Sequence, residues 1–204
     1  SDPKLRDEVV IVSAHNDHIG TLPDGTVNNG ADDNASGTTT LMVAADALAR
    51  QAPPRRTILF LSVSGEEKGL LGSEWWCNHP TVPLDHVVAD INIDMVGRND
   101  PDAVGATPSP KHTDYNTLVA RAVELGPTVG LEITWNAPKA SDDRVDGYYQ
   151  RSDHYNFAEK GIPVVFFFSG VHEDYHRPTD DIEKIDREKL RKMVHLVMAL
   201  ATDV

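Results

Sequence analysis

The sequence predicts an α/β protein, a three-layer α/β/α sandwich with a mostly parallel mixed central sheet. Three observations carry this. Short apolar runs alternate with segments of helical period along the chain, loop-forming segments separate them, and histidines and carboxylates recur just beyond the C-terminal ends of the apolar runs. The run "VVIVSA" (9–14) reads as a buried strand, and "SGTTTLMVAADALARQ" (36–51) as the helix after it. "TILFLSVS" (57–64), "VVADINID" (87–94) and "IPVVFFFS" (162–169) are further apolar runs of strand length, and "LEITW" (131–135) is a weaker one. Helical patterns fill the intervals at 69–79, 113–126 and 152–161, and a last one closes the chain at 186–203. The segments 98–112 and 136–150, rich in Gly, Pro, Asp and Ser, read as loops.

The chain has 204 residues, enough for one domain with a substantial core, and reads as a single domain over 1–204. Its 32 Asp and Glu against 19 Lys and Arg give a formal charge of −13, which repels nucleic acid and anionic membranes. No apolar run reaches the ~18 residues of a membrane span. Cys77 is the only cysteine, so neither an intramolecular disulfide framework nor a Cys-based zinc site is available. The chain starts "SDPKLRDEVV", without a targeting segment.

In open α/β sheets ligands sit beyond the carboxyl ends of the strands. There the sequence puts His15-Asn16-Asp17, Glu66-Glu67, Asp94 and, after a short loop, Tyr175-His176. Taken singly, each has a structural reading as a surface histidine, a loop cap or a helix start. Taken together, with "GADDNASG" opening the helix at 36, they imply a shared cation site, because so many carboxylates in one crevice repel unless cations intervene. If the first strand runs on through Asp17, its carboxylate shares a face with His15 and accepts the N–H of one imidazole nitrogen while the other binds metal.

The blocks "AHNDHIG", "NGADDNASG", "SGEEKGLLGSE", "NIDMVG", "RSDHYNFAEKGIPVVFFFSG" and "YHRPTDD" resemble, in order and over nearly the whole chain, peptidase family M28, the co-catalytic zinc aminopeptidases. The resemblance implies the zinc-dependent exopeptidase fold and two Zn2+ ions, with Co2+ or Mn2+ as substitutes. It implies that His15 and Asp94 bind one ion, Glu67 and His176 the other, and that an aspartate bridges them; the position directly before Asn-Ala-Ser-Gly selects Asp33 over Asp32. Glu66 is then the general base, Asp17 the carboxylate behind His15, and Tyr175 a donor to the oxyanion. A break in the strand at Gly65 would let Glu66 and Glu67 diverge, and Gly30 and Gly37 would give the bridging loop its close approach.

The implied activity is that of an aminopeptidase, hydrolysing the N-terminal peptide bond of a peptide with a free N-terminus by metal-activated water. A glutaminyl cyclase, a carboxypeptidase or dipeptidase of the same fold, and an inactive metal-binding or receptor module stay open as alternatives. The resemblance further implies a secreted or periplasmic enzyme. The chain starts almost at its first strand and lacks a protease-associated insert, so it reads as a trimmed catalytic domain or a fragment. Asp153 and His154 are left out of the ligand set, Ser152-Asp153 being read as a helix N-cap; His18, His172 and His195 are given surface or structural duty. Trp135, Tyr148 and Tyr149 are candidates for a hydrophobic pocket wall.

Overall fold

The computed structural model describes residues 2–137 and 144–204. Six strands, β1 (Val9–His15), β2 (Thr57–Val63), β3 (Val87–Ile93), β4 (Ala103–Thr107), β5 (Glu132–Thr134) and β6 (Val164–Phe168), form one sheet in the order β2-β1-β3-β6-β4-β5. β2, β1, β3 and β6 run parallel, while β4 is antiparallel to β6 and parallel to β5. Parallel strands need crossovers, and five helices supply or flank them: α1 (Gly37–Ala49), α2 (Leu71–Asn78), α3 (Thr117–Leu125), α4 (His154–Glu159) and α5 (Arg187–Asp203).

Strand alternation divides the core in two. Val10, Val12 and Ala14 of β1 pack with Leu41 of α1, Val119 of α3 and Val197 of α5. Val9 and Ile11 face the other way, toward Trp76 of α2 and Phe157 of α4. The sheet is therefore covered on both faces, which is why its central strands read as continuous apolar runs. Because four neighbouring strands point the same way, their carboxyl ends gather His15, Gly65-Glu66-Glu67, Asp94 and Ser169-Gly170 along one edge.

Two sequence expectations change. The segment 98–112, read as a loop, contains β4, which pairs with β6 through Gly105, Ala106 and Thr107. Gly105 has no room for a side chain: a Cβ there would meet Phe168 O and lie 2.6 Å from Val145 Cγ2. The strand's glycine thus reflects packing rather than a turn. Ser152 and Asp153 do not cap α4 through their side chains. Side-chain caps are made elsewhere: Asn116 accepts from Val119 N at 3.2 Å, and Asp186 accepts from Glu188 N and Lys189 N. Among the described residues no helix is long and apolar enough to cross a membrane.

Candidate active site

β1 ends on His15, a fully buried imidazole whose Nε2 lies 3.3 Å from Asp94 Oδ1 and 3.7 Å from Asp33 Oδ1. Its other nitrogen is fixed by the backbone: Nδ1 donates to Asp17 O at 3.1 Å, which leaves the Nε2 lone pair of the neutral ring turned to the carboxylates. The Asp17 carboxylate does not make the bond expected of it. Its Oδ1 is 3.6 Å from His15 Nδ1, beyond hydrogen-bond reach, because β1 stops at His15 and the two side chains no longer share a strand face. Instead the carboxylate accepts from the backbone N–H groups of Glu66 and Glu67 at 3.2 and 3.4 Å.

Those glutamates sit on a 3₁₀ turn, Glu66–Lys68, entered through Gly65 at φ 83°. The left-handed glycine breaks β2, so neighbouring residues leave the strand geometry that would send them to opposite faces. Glu67 Oε2 lies 3.2 Å from His176 Nε2, and Asp33 Oδ2 lies 3.1 Å from the same nitrogen. His176 holds φ 57°, a conformation uncommon for a residue with a side chain and concentrated at functional sites.

Asp33 stands between the two groups, its Oδ1 toward His15 and its Oδ2 toward His176. The loop that carries it is pinned at several points, and its Asp33–Asn34 peptide is cis. Asp180 Oδ2 accepts from Asp32 N and Asp33 N at 2.9 and 3.1 Å. Asn34 donates to Ile93 O and accepts from Gly37 N. A Cβ on Gly37 would collide with Asn34 Oδ1 and Ile93 O, so glycine is required for this close approach. Asp32 faces away, accepting from Gly97 N at 2.6 Å and lying 3.2 Å from His172 Nε2. His172 is accordingly structural.

The electrostatics separate the two neighbouring glutamates. Burial, then the charge of Asp94, pushes the Glu66 carboxyl up to about 9. Burial also works on Glu67, yet the imidazoles of His176 and His18 hold it down to about 2. Burial followed by neighbouring carboxylates raises Asp33 to about 6, offset in part by His176. Burial opposes a charged His15, but Asp94, Glu66 and Asp33 raise it to about 11; Asp33 and Glu67 raise His176 to about 10. Without a cation, protons on the imidazoles do the neutralising.

His15 Nε2, Asp94 Oδ1, Glu67 Oε1 and both His18 nitrogens are buried without a hydrogen-bond partner. Such groups are rare in proteins, and facing donors of opposite type a few ångströms apart fit a divalent cation. One trio is His15, Asp33 and Asp94, a second His18, Asp33 and Glu67. All five sequence-predicted ligands lie in this cluster. His18, assigned surface or structural duty from the sequence, lies in it too, 2.8 Å from Glu67 Oε1.

A cavity opens over Asp33, Glu66, Glu67, Asp94 and His176. Met95, Tyr148, Phe166, Phe168, Val171 and Tyr175 form its apolar side, and Arg151 stands over the Tyr148 ring. Tyr175 stacks on His176, the centroids 3.9 Å apart. Of the three aromatic wall candidates only Tyr148 lines the cavity. Tyr149 packs among His112, His154 and Tyr155, and Trp135 packs against the core of the α1, α3 and α5 face. The central part of the expected specificity loop 136–150, residues 138–143, lies outside the described residues.

Ser152, expected only as a cap, donates to Asp94 Oδ2 and accepts from Asn92 Nδ2, both at 2.9 Å. Asn92 also accepts from Ser13, which is bonded to the fully buried Asp90. A polar chain thus runs behind Asp94 along one face of β3. Asp153 accepts from Ser73, and His154 is buried against Phe166, 4.4 Å between centroids; neither reaches the cluster. His195 is exposed on α5.

A family model for peptidase family M28 matches residues 1–201. The chain is 30% identical over 213 residues to a probable leucine aminopeptidase of Arthroderma benhamiae, covering 99% of this chain and 56% of that protein. Aminopeptidase YwaD of Bacillus subtilis is 29% identical over 206 residues, covering 94% of this chain and 40% of its own length. The chain therefore spans about half the length of the curated relatives it matches. Among solved structures, BSAP, a zinc aminopeptidase from Bacillus subtilis, superposes with a TM-score of 0.73 at 28% identity, over 100% of this chain and 48% of that one. A glutaminyl cyclase of Fimbriiglobus ruber, at TM-score 0.78 but 17% identity over 97% of this chain and 71% of that one, shares the fold alone. With its motifs in family order and a family model matched over residues 1–201, the chain belongs to peptidase family M28.

Proposed function

We propose that this chain is the catalytic part of a zinc aminopeptidase that holds two metal ions. The observation that carries the reading is the pair of ligand clusters sharing Asp33, whose carboxylates Asp33, Glu67 and Asp94 line one cavity together with Glu66. His15 and Asp94 would hold one ion, Glu67 and His176 the other, and Asp33 both. When bound, zinc polarises a carbonyl oxygen and lowers the pKa of water.

The residues do the rest. Glu66 takes a proton from the attacking water at its carboxylate and returns it to the nitrogen of the leaving amine. Ser152 and Asn92 keep Asp94 in one rotamer, the Asp17 O···His15 bond fixes the imidazole tautomer, and the Asp17 carboxylate orients the turn that carries Glu66. Tyr175, packed on His176, lines the cavity, and its hydroxyl would donate to the oxyanion.

The cavity supports an end residue as substrate. One side of it is apolar while the floor is anionic and suits a free ammonium. A peptide with an apolar N-terminal residue fits that division, and the named relatives include leucine aminopeptidases. The second cluster, Glu67 with His176 and Asp33, favours a two-ion peptidase over a one-zinc glutaminyl cyclase. A secreted or periplasmic working place rests on the family resemblance alone.

Metal analysis alongside aminoacyl-nitroanilides with free and blocked amino ends tests the reading. Two zinc ions per chain and cleavage of the free-amino substrates only are expected. One ion with cyclisation of N-terminal glutamine, or cleavage that ignores the amino end, would contradict it.

A further inference from the structure

His18 lies outside the five-ligand set, yet its surroundings are those of a ligand. Its side chain is only 10% exposed, and neither ring nitrogen has a hydrogen-bond partner. Nδ1 lies 2.8 Å from Glu67 Oε1 and 3.7 Å from Asp33 Oδ2. The Nδ1–Oε1 pair stands at ion-pair distance yet outside hydrogen-bond geometry. Glu67 is thus flanked by two imidazoles, His18 at Oε1 and His176 at Oε2, whose rings stand 5.6 Å apart and nearly perpendicular.

The backbone makes room for this ring. Gly30 is left-handed at φ 64°, and a Cβ there would lie 2.7 Å from His18 Cγ and 2.9 Å from Cδ2. The same glycine opens the loop that carries Asp33. One glycine therefore seats the imidazole against the bridging loop. His18 does not line the cavity, whereas Glu67, His176 and Asp33 do, so it approaches the cluster from behind.

We infer that His18 is a further protein ligand of the metal held by Glu67 and His176, through Nδ1. The inference rests on the two-ion reading above and adds an asymmetry to it. The ion at His15, Asp94 and Asp33 has three protein ligands and keeps a position open to water and substrate, the pattern of a catalytic zinc. The ion at His18, Glu67, His176 and Asp33 has four. The four-ligand site binds more tightly.

The test is a zinc titration of chelator-treated wild type, His18→Ala and His18→Gln against a chromophoric competitor, with circular dichroism to establish that each variant is folded. Wild type is expected to bind two ions with distinct affinities. In His18→Ala the tighter step should weaken 10- to 100-fold while the weaker step stays within about threefold. His18→Gln should behave like His18→Ala, because an amide donates a hydrogen bond to Glu67 but does not replace an imidazole ligand. Two unchanged steps in a folded His18→Ala, or full rescue by His18→Gln, would overturn the inference and leave the two-ion reading standing. A wild type that binds one ion or none would overturn both.

Discussion

Glu66 and Glu67 are neighbours with opposite fates, one carboxyl raised to about 9 and the other lowered to about 2. The difference comes from company: Glu66 faces buried Asp94, Glu67 faces two imidazoles. Glu66→Gln keeps the size and removes the proton acceptor, so we expect both metals retained and kcat lowered roughly 10²- to 10⁴-fold, measured with metal content determined on the same sample. Glu67→Ala removes a ligand, and the expected outcome is one ion lost per chain by elemental analysis. That these two side chains can diverge is legible from a strand that runs into Gly65; the different jobs proposed for them come from the family resemblance. The place of His18 is not legible, because a single histidine three residues past another has no period or partner in the sequence; only the fold of the 30–37 loop brings Asp33 and Gly30 to it.

The turn at Glu66–Lys68 and the loop at 30–37 are the devices that aim the site. Asp17 holds the first by accepting two backbone N–H groups, so Asp17→Ala should lower kcat while zinc affinity at His15, whose hydrogen bond is to the backbone, stays within a few-fold. A large loss of zinc affinity in a competition titration would return the carboxylate to the role behind His15 that the sequence suggests. Gly37→Ala overpacks the second device, and we expect a loss of roughly 1–3 kcal/mol in urea unfolding. For a chain of this size that corresponds to roughly 2–4 °C of Tm per kcal/mol. Five of the six strands are legible as apolar runs: β1, β3 and β6 are buried on both faces, while the edge strands β2 and β5 read as apolar although only Val63 and Ile133 in them are buried. β4 is not: "AVGAT" sits among Asp, Gly and Pro, and its identity as a strand depends on pairing with β6.

Across the molecule, the α/β alternation gives the layers, but the order β2-β1-β3-β6-β4-β5 depends on the hidden strand and on an antiparallel pairing that alternation does not encode. The assembled edge concentrates charge in a protein already at −13, and this makes metal-free stability depend on pH. A carboxyl whose folded pKa exceeds its unfolded value binds its proton more tightly when folded, so stability falls as pH rises between the two. Glu66, raised from 4.5 to about 9, and Asp90, raised from 3.8 to about 8 by burial, both act in that sense. His15 and His176, raised from 6.5 to about 11 and about 10, contribute stability that is complete below 6.5 and fades as pH climbs toward the folded values. The groups whose pKa is lowered run the other way, each outside the interval 6.5–8: Glu67, lowered to about 2, and lowered aspartates such as Asp174 and Asp146 matter only in acid. Buried His154, lowered to about 3, matters below 6.5, and Lys189, lowered to about 8 by burial, matters above 8. Calorimetry of chelator-treated protein should therefore give a Tm that falls from pH 6.5 to 8, and zinc should reverse the fall; a Tm that rises over that interval would contradict the charge assignment.

The most direct measurement is an anomalous difference map from zinc-soaked crystals, collected at the zinc edge. It should contain two peaks, one ~2.0–2.2 Å from His15 and Asp94 atoms and the other equally close to Glu67 and His176, with Asp33 between them. A single peak, or peaks away from these side chains, would contradict a two-ion centre at this edge of the sheet.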